Sequence, residues 1–225
     1  MNKKILIFDS STIITLAMNG LLGILPQLKK NFKGSFVITP YVKEEIINQP
    51  LETKRFEFEA LSIEKLIEDG IFDIMDAPEL DKETSRIKLL VNSSFKAHGE
   101  KLKIFHDGEA SCLALAKLLY GNEILLASDE RTARLVIENL ENLRKLFEYK
   151  LHTVVDLKYL KGIPRNLKII RSSELCMLAY KKGFIDLPAD HSKVIEAILY
   201  ALKFKGCSIS SEEIKKAKKI FERKL

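Results

Sequence analysis

Acidic residues stand where the chain passes from one kind of segment to another. Asp9 directly follows the apolar run KILIF, Asp129 follows EILLAS, and Asp107 opens DGEASCLALAKLL. A fourth, Glu45, lies one turn into YVKEEII; Glu44 is its immediate rival, and the spacing after Val42 favours Glu45. Carboxylates gathered without a basic partner repel one another, so clustering them costs stability unless a cation joins. Hard oxygen donors of this kind suit Mg²⁺ or Mn²⁺. Each acid also has a plainer explanation, because any one of the 31 Asp and Glu is most often a solvated group or a helix cap. Capping alone accounts for Asp107. Asp9 carries more weight, since a carboxylate directly after a buried strand must sit at the sheet edge.

The elements that would position these acids are legible as alternating apolar runs and amphipathic stretches. KILIF reads as a strand buried on both faces. It ends at Asp9-Ser10-Ser11, where either serine can cap a helix starting near Thr12. LLGILPQLKKNF is a second helix, FVITP a second strand, and Pro40 suits the first position of the helix YVKEEII. Residues 51–103 are expected to form a helical insertion or cap, with IFDIM as a short strand and ELDKETSRIKLLVNSSF as an amphipathic helix. From Phe105 the rhythm returns. Asp107 is expected as the N-cap of ASCLALAKLLYG and Gly121 as its stop, followed by strand EILLAS and helix ERTARLVIENL. Residues 144–166 are basic and less regular. LKII is a fourth strand, Ser172-Ser173 opens the helix ELCMLAYKKG, and HSKVIEAILYALKFKG and SSEEIKKAKKIFERK are two closing helices. Ser210 or Ser211 forms a capping box with Glu213. Strands separated by helices imply βαβ units and a parallel sheet. The expected architecture is a three-layer α/β/α domain with a four- or five-stranded parallel sheet over residues 1–185, and a helical extension over 186–225. In such a sheet the strand C-termini share one edge, where ligands bind, so residues distant in sequence converge there.

The totals narrow the classes. With 225 residues, 46% hydrophobic and 30% charged, the chain can bury a core and is not disordered. No segment has the apolar length of a membrane span. The N-terminal apolar run is too short for a signal peptide and meets Asp9 rather than a cleavage site, so a cytoplasmic location is expected. Cys112, Cys176 and Cys207 are far apart and form no CxxC pair, which supports neither a disulfide framework nor a zinc site. The net charge of +6 is uneven: residues 141–225 hold 19 Lys/Arg against 10 Asp/Glu. A basic final third beside a slightly acidic body suits a nucleic-acid partner, the alternative being a lysine-rich solvated surface.

In order, ILIFDSSTIITL, FVITPYVKEEII, FHDGEASCLALAKLL and ILLASDERTARLV resemble the four acidic motifs of PIN-domain nucleases. The likeness is to the branch with a GEA turn after the third acid and a DER-type fourth motif. KIIRSSELCMLAYKKGFI and LYALKFKGCSIS are similar to that branch's last strand and closing helices, whereas residues 51–103 and 144–166 have no counterpart in the compact pattern. The resemblance implies that Asp9, Glu45, Asp107 and Asp129 hold Mg²⁺ or Mn²⁺ directly or through water. It matches Ser10 to the polar position after the first acid and Ser128 to the one before the fourth, although both serve equally as caps or turn residues. Glu109 reads as a supporting ligand or, preferably, as a favourable charge in a first helical turn. Arg131 and Arg134 are placed to face a phosphodiester, with Arg134 equally able to pair with Glu130 or Glu138. The implied activity is metal-assisted hydrolysis of RNA leaving 5′-phosphate and 3′-hydroxyl ends. Two roles are implied: the toxin of a toxin–antitoxin pair, with an antitoxin protein as partner, or an RNA-processing enzyme. A homodimer joined through apolar faces of the first helices is also implied. His106 beside Asp107 reads as a structural turn residue.

Two other classes compete. In phosphoaspartyl chemistry an Asp after the first strand is the nucleophile, but a DxD signature is wanted and Asp9-Ser10-Ser11 is present. A non-catalytic RNA-binding or protein-interaction module with an idle metal site is the second. GxSxG, P-loop and GxGxxG templates are absent.

Overall fold

The computed structural model describes residues 3–97, 100–152, 154–165 and 167–222, so the expected last helix beyond residue 222 lies outside the described residues. The apolar runs form strands, as their continuous burial requires. β1 (Lys4–Phe8) leads into α1 (Ser10–Met18), and α2 (Ile24–Phe32) into β2 (Ser35–Ile38). Asp9 itself is the N-cap of α1 with extended backbone, one residue earlier than the expected serine caps, and its side chain makes no cap bond. After β2, the Thr39 hydroxyl accepts from the Val42 amide at 3.1 Å and Pro40 occupies the first turn of α3 (Pro40–Lys43). The helix then widens into a π turn over Glu44–Asn48 before the short α4 (Gln49–Leu51). Such widenings often accompany functional positions, and this one carries Glu45.

Next come α5 (Glu57–Glu68), β3 (Asp73–Ile74), α6 (Leu80–Ser93), β4 (Phe95–Ala97) and β5 (Glu100–Lys101). The short strand expected at IFDIM forms as β3 within this largely helical segment, and it adds an edge strand to the main sheet, pairing Val37 with Asp73 and Ile38 with Ile74. Phe72, just before it, is buried against Phe8 with ring centroids 5.1 Å apart. β3 is held by backbone bonds and that one anchor, so no alternating pattern marks it.

α7 (Asp107–Leu118), β6 (Glu123–Ala127), α8 (Arg131–Glu138) and α9 (Leu140–Leu151) follow. Asp107, expected as the N-cap of α7, is its first helical residue; His106 is the cap, and its amide donates to the Glu109 carboxylate at 3.0 Å. α9 occupies about the first third of the stretch expected to be irregular, residues 144–151 of 144–166. Leu140, Leu143 and Phe147 recur at helical spacing and are buried, but the charges between them mask the pattern. Phe147 meets Phe95 at 4.6 Å, fastening α9 to a small antiparallel sheet of β5, β4 and β7 (Val154–Val155). β8 (Lys168–Ile170), α10 (Ser172–Lys181), α11 (His191–Phe204) and α12 (Ser211–Glu222) complete the chain.

The main sheet has the order β3-β2-β1-β6-β8 with every pair parallel. α7 packs on β1 and β6 with α3 and α6 beside it, while α2 packs on β2 and joins α10 and α1 in the other layer. The result is the three-layer α/β/α fold, with five strands. Strand order reverses between β1 and β6, which opens a crevice at their C-terminal ends. Phe8 and Ala127 are in register there, so Asp9 and Ser128-Asp129 leave the sheet side by side.

Residues of the closing helices, including Val194, Leu199, Leu202 and Ile214, belong to the same buried core as the sheet. The expected capping box forms between Ser210 and Glu213. Arg171, largely buried, donates to Glu174 at 2.6 Å and to Glu213 at 2.7 Å. Burial opposes ionisation of Glu213, but bonds from Ser210 and Arg171 outweigh it and hold the carboxyl down at about 2. Its contribution is therefore complete above its ordinary value of 4.5 and fades as pH falls toward about 2. Glu213→Gln, which keeps the capping box, should cost about 1 kcal/mol at neutral pH for a half-exposed pair. Denaturant titrations should show the gap from wild type narrowing in acid, and a constant gap would show that the pair is not its source.

Candidate metal centre

The crevice is built around Asp9. Its side chain is 2% exposed, and Oδ2 accepts from the Ser11 hydroxyl at 2.6 Å and the Ser128 hydroxyl at 2.9 Å, while Oδ1 is buried without a partner. Burial pushes the carboxyl up to about 6, the serine hydroxyls pull against that, and the charge of Glu45 pushes it further up. Ser11 also links the two strands, because its oxygen accepts from the Asp129 amide at 3.0 Å.

Glu45 reaches the same region from the π turn. Its Oε1 accepts from the Gly108 amide at 3.0 Å, and a Cβ at position 108 would collide with both its carboxylate oxygens. Glu44 is exposed and turned to Asn48, away from the α7 N-terminus that Glu45 reaches. Gly108 is thus needed for the close approach of Glu45 to the α7 N-terminus, where the amide dipoles favour a negative charge.

Asp107 and Glu109 divide differently from expectation. Asp107 is half-exposed and gives both oxygens to Lys88 Nζ at 2.8 Å, so its charge is already compensated. Glu109 accepts from the His106 amide at 3.0 Å, and burial raises its carboxyl to about 7, with further upward pressure from the charges of Asp9 and Glu45. Among the described residues Asp9, Glu45 and Glu109 have no Lys or Arg partner within ion-pair distance.

Asp129 is fully buried, with Oδ1 accepting from the Ser172 amide at 2.8 Å and Oδ2 unpartnered. Burial and then the charge of Asp129 raise the Cys207 thiol to about 11. Ser128 supports Asp9 as described, while Ser10 contributes a backbone bond to Asp9 and Ser11 supplies the hydroxyl expected of it. Arg131 is exposed at the start of α8. Arg134 donates to the Ser208 carbonyl at 3.0 Å, so it braces the C-terminal segment instead of pairing across its own helix.

Sequence reasoning missed Ser11 as the link between the two acids, Lys88 as the counter-ion of Asp107, and the Ser172 amide under Asp129. Only the glycine before Glu109 was a usable signal, because a residue without Cβ in a first helical turn marks a close approach.

Among the described residues, no three acidic, His or Cys side chains stand close enough together to grip one ion. The donor set nevertheless fits a hard divalent cation: Asp9 Oδ1 and Asp129 Oδ2 are buried oxygens lacking any partner, and the Asp9, Glu45 and Glu109 charges await compensation.

A family model described as a PIN domain (DUF3368) matches residues 5–143, and the chain belongs to that family. The match includes residues 51–103 and ends before β8 and the closing helices. No curated protein and no solved structure matches the chain. PIN domains are generally nucleases and generally use divalent metals.

Gly108→Ala should displace Glu45. Because the methyl meets only the mobile end of the Glu45 side chain, stability should change by less than about 1 kcal/mol, while Mn²⁺ binding in calorimetry should weaken. Unchanged Mn²⁺ affinity would remove Glu45 from the candidate centre.

Proposed function

We propose that the protein is a divalent-metal-dependent endoribonuclease whose centre is formed by Asp9, Glu45 and Glu109, with Asp129 at its edge. The observation that carries the reading is the buried Asp9 carboxylate with an orphaned oxygen, under the charge of Glu45 and, among the described residues, without an ion-pair partner. Mg²⁺ or Mn²⁺ held there would lower the pKa of a bound water and stabilise charge on the leaving oxygen. The chain's own residues fix the donors. Ser11 and Ser128 orient Asp9, the Gly108 amide orients Glu45, and the Ser172 amide orients Asp129. The motif position first assigned to Asp107 passes to Glu109, because Lys88 already holds Asp107.

RNA as substrate is supported by the PIN family and by the basic final third of the chain. Exposed Ile14 and Met18 on α1, which line one cavity with the exposed Phe56 at the start of α5, supply the apolar face a homodimer would use; elution only as monomer on sizing would remove that part. The competing reading, a binding module with an idle site, has on its side the engagement of Asp107 by Lys88 and of Asp129 by Ser172.

Cleavage of labelled RNA in Mn²⁺ or Mg²⁺ separates the two. Asp9→Asn and Glu109→Gln should each reduce the rate more than about 100-fold, the upper range for losing a mere supporting partner. Asp107→Asn should stay within about threefold, the scale of an exposed ion pair of 0–1 kcal/mol. RNA that binds wild type and remains intact would defeat the nuclease reading, and equal losses at Asp107 and Glu109 would defeat the assignment of the third acid.

A further inference from the structure

We infer that single-stranded RNA reaches the acidic crevice along the groove between α8 and α9, with Arg131 and Lys145 on its phosphates and Tyr149 stacked on an unpaired base; this rests on the ribonuclease reading above.

The groove has a volume of about 730 Å³ and is lined by Arg131 and Leu135 of α8 and by Lys145, Leu146, Glu148 and Tyr149 of α9. The two helices are separated only by Asn139, whose side chain caps α9 by accepting from the Asn142 amide at 2.9 Å. Because the start of α8 and the end of α9 line one groove, the helices fold back on each other. That places the groove mouth at Arg131, two residues after Asp129 and therefore at the sheet edge that carries the acids.

The lining suits one kind of ligand. Glu148, the acid in the groove, is held by Arg144 at 2.9 Å, which leaves Arg131 and Lys145 without an ion pair among the described residues. Leu135 and Leu146 make the floor apolar. Tyr149 is 84% exposed, so its ring face is open to a stacking partner from the groove. Cations along a groove with an open aromatic ring are what a flexible strand with splayed bases requires. A duplex keeps its bases stacked inside and offers Tyr149 no ring face.

The test is anisotropy of a short labelled RNA, single-stranded or annealed, with Asp9→Asn protein so that no strand is cut. Adding Tyr149→Ala should weaken single-strand binding about tenfold, as loss of one stacked base does, and leave the duplex unaffected. Arg131→Ala and Lys145→Ala should each reduce the salt slope of single-strand binding by about 0.7. All three side chains face solvent or the groove, so equal melting temperatures should confirm folding. Unchanged single-strand affinity in the three variants, absence of RNA binding, or equal loss on the duplex at Tyr149 would overturn the proposal. Cleavage assays keep it apart from the ribonuclease reading. If the protein with native Asp9 cuts RNA and Tyr149→Ala leaves KM unmoved, the groove fails and the nuclease stands. If RNA stays intact while the groove variants still lose binding, the nuclease fails and the groove stands.

Discussion

Burying the Asp9 carboxylate at the end of a fully buried strand is the constraint around which this edge of the molecule is arranged. A charge removed from water is tolerated only where hydrogen bonds or a counter-ion replace its hydration. Two serine hydroxyls serve one of its oxygens, and they come from different elements, Ser11 from α1 and Ser128 from the end of β6. That pairing requires the β1–β6 register as observed, with Phe8 opposite Ala127. A slip by one residue would carry Ser128 away from Asp9 and turn buried side chains to the opposite face. The other oxygen is buried without a hydrogen-bond partner. The proposed chemistry and the register of the central strands are thus consequences of a single buried charge.

The same edge is braced from the end of the chain. The Ser208 amide donates to the Asp129 carbonyl at 3.3 Å, and Arg134 returns a bond to the Ser208 carbonyl. Lys205 reaches the Met18 carbonyl, and Gly206, at φ +137, lies so close to Thr15 that a side chain there would clash. The segment between α11 and α12 is therefore laid across α1 and the loop after β6. The helices beyond residue 143, outside the family match, are continuous with the core and contribute to holding Asp129, whose carboxylate is set by the first amide of α10.

What the sequence revealed and what it hid follow from how far each signal reaches along the chain. KILIF, FVITP and EILLAS could be read as strands because burial inside a sheet favours unbroken apolar runs, and LKII, at the sheet edge, from its short apolar pair. IFDIM was legible as a short strand, but not its place on the edge of this sheet, since β3 is two residues with exposed side chains that dock by backbone pairing. The acids at strand ends were legible for the same reason as the strands. Choosing between Asp107 and Glu109 was not a local question. They are two residues apart on one helix, so their side chains diverge by about 200° around its axis. Which of them faces the crevice depends on how α7 is rotated against β1 and on Lys88, 19 residues away, arriving to claim the other. Glu44 and Glu45 posed the same problem one residue apart, and there the run of buried positions through Val42, Ile46 and Ile47 already fixed the rotation.

The separation of charge along the chain fits this division of labour. A lysine or arginine inside the crevice would neutralise Asp9, Glu45 and Glu109 and compete with a divalent ion for their oxygens, just as Lys88 does for Asp107. Bare carboxylates, however, repel a polyanion at short range. Attraction must therefore come from cations set beyond the acids yet near enough to act through salt, within a Debye length of about 8–10 Å. The exposed Arg131, at the first turn of the helix that leaves the crevice, occupies such a position. A site that must keep its own charge uncompensated until a cation arrives therefore needs its basic residues on neighbouring elements, and the basic excess after residue 140 is where the fold can supply them.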